Sequence, residues 1–167
     1  MPTAEPNWAE QVTAIATSVG AFGLLGAIGA AIFAGKQVRE ARDTRQAQMA
    51  AEFMRRWNDD ALVETRQLID SLLAKHELIT AFQRYVQSGA HEAYVLYREL
   101  DFFEQLGALE QLGAFDFELI KLLLGPTLIA RWEMWQPAIH AVHGVGVYPM
   151  FESLVAKMRI ALATRSA

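Results

Sequence analysis

Between Val12 and Gly35 the chain runs for 24 residues without a charged side chain, VTAIATSVGAFGLLGAIGAAIFAG. A helix needs about 20 consecutive apolar residues to cross the hydrocarbon core of a bilayer, so this stretch is long enough to span once. The apolar fraction of the whole chain, 53%, exceeds the roughly 45–50% of soluble domains, as an added span would make it. The flanks give the span a direction. Only Glu5 and Glu10 precede it, and all 15 Lys and Arg follow residue 35, beginning with Lys36, Arg39, Arg42 and Arg45. Basic residues are retained on the cytoplasmic side, which predicts an outside N-terminus and a cytoplasmic C-terminal part. A cleavable leader would carry its positive charge before a shorter apolar run, so the segment is expected to stay in place as an anchor. Asn7 with Glu10 forms a capping-box pattern that starts the helix near Trp8, an indole suited to the headgroup level.

Four segments follow from this: a tail over 1–11, a transmembrane helix over 12–35, a basic juxtamembrane helix over 36–57, and a helical domain over 58–167. The segment from Lys36 to Trp57 lacks Gly and Pro and is rich in helix formers, so the anchor helix is expected to continue as a stalk. Its apolar stripe strengthens at Met49, Phe53, Met54 and Trp57, where contact with the domain should begin. From Lys36 to Arg56 there are six basic and three acidic residues, whereas Trp57 to Ala167 holds nine basic and fourteen acidic. The positive base of the stalk suits a topology signal and contact with the lipid bilayer, each basic residue near an anionic surface contributing about 1 kcal/mol. Nucleic acid is not expected as a partner, because the acidic domain repels phosphates.

Helical spacing continues to the end of the chain. Leu62, Leu68, Ile69, Leu72 and Leu73 form one set, and Leu78, Ile79, Phe82, Tyr85 and Val86 another that stops at Gly89. These make either one helix or two. A third set runs from Tyr94 to Leu106 and is expected to end at Gly107, and a fourth begins at Asp116 and ends at Gly125. Pro126 is read as the first turn of a further helix bent at Pro137, and a last helix starts near Pro149. No stretch alternates with period two, so the fold is all-α.

Chemistry is sparse. The absence of Cys removes disulfides, thiolate metal sites and cysteine nucleophiles. His140, His143 and Glu133 have a spacing that permits a metal without specifying one, and no metal or cofactor is expected. Glu99, Asp101 and Glu104 are expected to face out or to pair with arginines. Ser18, Ser71, Ser88 and Ser153 lack a nucleophile-elbow context, and no catalytic residue is assigned. Trp132, Trp135 and Tyr148 suit either core packing or the lining of a pocket. Gly20, Gly23 and Gly26 recur at a spacing that lets helices approach closely in lipid, which leaves a homo-oligomer open.

Several runs carry a resemblance. They are the apolar helix with its basic stalk, the run EFMRRW ending at Trp57, LDFFEQLGALEQLGAFDFELI from Leu100 to Ile120, and the Trp132 and Trp135 segment ahead of MFESL. Together they resemble the bacterial family called domain of unknown function 4760, small proteins with an N-terminal membrane helix and a helical cytoplasmic part. The resemblance implies the same layout in the inner membrane and brings no activity with it. Where that family shows an arginine after the tryptophan helix, this chain has His140 and His143 followed by GVGVYP.

The expected function class is therefore a membrane-anchored interaction or scaffold protein, non-enzymatic, with an unknown protein partner. Two alternatives stay open. One is a small-ligand or lipid sensor using an aromatic-lined pocket. The other is a soluble oligomeric assembly subunit with the Gly-rich helix as its seam.

Overall fold

In a computed structural model of the protein, residues 33–42 and 44–164 are described. Every regular element among them is a helix. The chain divides into two compact units, 1–45 and 46–167. In the first, residues 33–42 and 44–45 are helical, and Lys36, Arg39, Arg42 and Arg45 are all exposed. Among the described residues no helix is long and apolar enough to cross a membrane. The anchor expected over 12–35 lies outside the described residues except for 33–35, as do Trp8, Gly20, Gly23 and Gly26.

The second unit holds six helices among its described residues. Residues 46–57 form α1, followed by α2 (Asp60–Ala74), α3 (Leu78–Ser88), α4 (His91–Gln111), α5 (Phe117–His143) and α6 (Pro149–Ala163). Contact begins where the apolar stripe strengthens: Ala50 and Phe53 are core, and Met49, Met54 and Trp57 pack against it. Helix α4 packs on α2, α3 and α6, while α5 packs on α3 and α6. Phe102 and Phe103 of α4 lie at the centre of an aromatic chain. Phe53 sits 4.6 Å from Phe102, Trp57 5.4 Å from Phe103, and Phe103 stacks on Phe151 at 4.8 Å. Trp132 meets the far side of Phe151 edge-on at 4.9 Å. Each such pair adds about 0.5–1.5 kcal/mol beyond its buried area.

The α2 and α3 patterns form two helices, separated by His76 in the left-handed conformation (φ 56°). Gly89 ends α3 as its spacing suggests, with φ 65° and its N–H donated back to the last turn. Two other expected stops are not stops. Helix α4 passes through Gly107 to Gln111, because that glycine answers a packing need described below rather than a turn. Helix α5 likewise runs as 27 residues through Gly125, Pro126 and Pro137, where two separate helices had been expected. An interior proline costs about 3 kcal/mol. Burial of Leu124, Leu128, Trp132, Trp135 and Ile139 along the same helix offsets it, at roughly 1.5–3 kcal/mol for each aliphatic side chain. Asp116 starts α5 as expected, its Oδ1 accepting the Leu119 N–H at 3.1 Å.

Candidate functional site

Two buried polar side chains stand out in the described core, Thr65 and Glu99. The Thr65 hydroxyl is 2.9 Å from both the Ala61 and Val95 carbonyls, so its single hydrogen is satisfied and ties α2 to α4. Glu99 is harder to accommodate. It lies on the inner face of α4 between Leu96, Leu100 and Phe103, and it is 0% exposed. Its Oε1 accepts the indole N–H of Trp135 at 3.0 Å. Arg131, one turn earlier on α5, brings its Nε to 3.6 Å from the same oxygen. Oε2 has no hydrogen-bond partner among the described residues.

Electrostatics around this carboxyl oppose one another. Burial raises its pKa above the ordinary glutamate value, Arg131, the Trp135 hydrogen bond and Arg66 pull it down, and Asp70 raises it; burial prevails. Arg66 is committed elsewhere, donating to the Trp57 carbonyl and lying 4.4 Å over the Trp57 ring. Its own pKa is lowered, chiefly by burial. Ser71 and Ser88 donate to carbonyls three residues back in their helices.

Sequence reasoning placed Glu99 and Glu104 together as outward or arginine-paired carboxylates, and the structure separates them. Glu99 is internal and faces Arg131. Glu104 accepts the backbone N–H groups of Met150 (3.2 Å) and Phe151 (2.9 Å), which caps the N-terminus of α6 from a neighbouring helix. A carboxylate there meets both the unpaired N–H groups and the positive end of the helix dipole. Gly107, one turn on, makes room for it: a Cβ at that position would stand 2.3 Å from the Met150 carbonyl oxygen. The signal was present in the sequence, since a glycine inside a strong helical pattern demands a packing reason. Asp101 is the outward member of the set. It lines a cleft of about 270 Å³ with Arg56, Asp59, Arg98 and Gln105, and partial burial raises its pKa.

The remaining candidates are dispersed. Trp132, Trp135 and Tyr148 are core residues, and none of them lines the clefts beside Asp101, between α5 and α6, or at Met134 and Pro137. His143 shares a 2.7 Å hydrogen bond with the Tyr97 hydroxyl, and Glu133 pairs with Arg159 at 3.0 Å. Among the described residues no group of three or more His, Asp or Glu side chains is arranged to hold a metal ion. An apolar groove of about 820 Å³ between α5 and α6 is lined by Leu122, Pro126, Ala161 and Leu162, with Glu118 and Lys121 at its rim.

A family model described as Domain of unknown function (DUF4760) matches residues 20–158. Neither a curated protein nor a solved structure matches the chain.

Proposed function

The chain belongs to the DUF4760 family, and from that premise we propose that it is a membrane-anchored interaction module rather than an enzyme. One observation carries the reading. Lys36, Arg39, Arg42 and Arg45 are all exposed on helical backbone directly after the 24-residue uncharged run, where they retain the following domain on the cytoplasmic side of a bacterial inner membrane. Residues 20–35 of that run fall within the span matched by the family model.

The interaction part of the reading is supported by how the domain uses its polar groups. Glu104 caps a helix, Thr65 ties two helices together, and Glu133 and His143 are engaged with single partners. What the domain offers to a protein partner is surface, including Leu122 at 79% exposure beside the α5–α6 groove and Ile160 at 69%.

A C-terminal reporter active only in the cytoplasm tests the orientation. It should be active on the native chain, and replacing Lys36, Arg39, Arg42 and Arg45 together by glutamine should give a mixed orientation. A reporter that stays silent on the native chain rejects the reading.

A further inference from the structure

A carboxyl group shut inside an apolar core is stable there only if it is neutral or well paired. Glu99 is shut in, and its two oxygens are unequally served: Oε1 has the Trp135 indole N–H at 3.0 Å, and Oε2 has nothing among the described residues. A carboxylate offers about four acceptor sites and draws donors to both oxygens. With a single indole donor on one oxygen and none on the other, the surroundings favour the neutral acid. The Arg131 Nε stands at 3.6 Å from Oε1, beyond a direct hydrogen bond, and the side chain keeps 18% of its surface exposed.

The charged groups acting on Glu99 come from two helices. Arg131 of α5 and Arg66 of α2 favour the carboxylate, and Asp70 of α2 opposes it. Among the described residues, α3 and α6, which also pack on α4, bring no charged group to bear on it. Arg66 is held by the Trp57 carbonyl and ring, whereas the Arg131 guanidinium has only a long hydrogen bond from Nη1 to the Met134 sulfur at 3.7 Å, so Arg131 is the cation freer to respond.

We propose that Glu99 is a proton-operated latch between α4 and α5: as the neutral acid it rests on the Trp135 indole with Arg131 standing off, and as the carboxylate it draws the Arg131 guanidinium onto Oε2 and shifts the seat of α5. The proton leaves to solvent on the side where Arg131 is exposed, and the Arg131 Nη1 gives up its 3.7 Å hydrogen bond to the Met134 sulfur. Arg131 and Trp135 lie one helical turn apart on α5, so a shift of the first pulls on the second.

The test uses the full chain in detergent, following by infrared spectroscopy the carbonyl stretch of a protonated carboxylic acid as pH is raised. Native protein should show an acid band that is absent in E99Q and vanishes at a pH above the ordinary glutamate range. Protection of the amides in the Arg131–Trp135 turn, taken relative to the intrinsic rise of exchange with pH, should fall through the same pH interval in native protein and stay level in E99Q. R131M should keep the band and move its midpoint upward, which identifies the group even if E99Q does not fold. Absence of the band wherever ordinary carboxylates are ionised overturns the proposal. So does a band that titrates while protection of the α5 amides stays constant, because the proton would then bind without moving the helix.

Discussion

Gly107 of α4 and Met150 of α6 meet backbone to backbone, so closely that a β-carbon on Gly107 would fall 2.3 Å from the Met150 carbonyl oxygen and 2.6 Å from its carbon. Rotation of a side chain cannot relieve such a contact. Gly107→Ala should therefore push α6 away from α4 and destabilise the domain by about 1–3 kcal/mol, the usual cost of overpacking, despite alanine's better helix propensity. Thermal unfolding measures it, and a gain in stability would mean that the two helices are not seated as described.

Glu104 completes the same junction by accepting the Met150 and Phe151 N–H groups. Glu104→Ala should cost about 1–2 kcal/mol, the range for losing a helix N-cap together with its charge. Because the cap is reached from α4 rather than from α6 itself, the loss should also appear as faster amide exchange in the first turn of α6.

Much of this was legible in the sequence, and the exceptions have a common cause. Helical spacing located α6, the start of α5 at Asp116 and the residues of α2 and α3, though not the break between those two, because apolar periodicity and caps are local. Gly107, Gly125 and Pro126 were read as local punctuation, whereas both helices run on through them and the two glycines face partners elsewhere. Gly107 faces the Met150 backbone, and a Cβ on Gly125 would lie 3.4 Å from the Met158 sulfur. The pairing of Glu99 with Arg131 was among the expected alternatives, whereas its burial and the capping role of Glu104 were not, for the same reason. Nothing within a few residues of Glu99 or Glu104 distinguishes a buried acid from a cap or a solvated carboxylate; Trp135 and Met150, 36 and 46 residues away, decide it.

Asp116 offers a local control. Its Oδ1 accepts the Leu119 N–H at the start of α5 without help from another helix. Asp116→Ala should cost about 1 kcal/mol, and Asp116→Asn or Asp116→Ser only a few tenths, since both keep the capping oxygen. Equal losses for all three in thermal melts would show that the aspartate acts through something other than its cap.

Stability should fall with rising pH through the titration of Glu99. The folded-state pKa is raised above the unfolded one, so the folded chain binds the proton more tightly. That contribution is complete below the ordinary glutamate value of about 4.3 and is lost as pH climbs through the raised value. Arg131→Met removes the cation that stands 3.6 Å from the carboxyl. It should destabilise by about 2–3 kcal/mol above that interval, less than for a fully buried pair because Arg131 keeps 18% exposure, and by much less below it. Unfolding followed across pH checks the sign, and a loss equal at both ends would contradict it.

If residues 12–35 hold the chain in a bilayer, as proposed, alkaline carbonate extraction of membranes from expressing cells should leave the full chain in the membrane pellet, with release only by detergent. Release into the carbonate supernatant as a soluble oligomer would contradict it and would make the Gly-rich segment a seam between subunits.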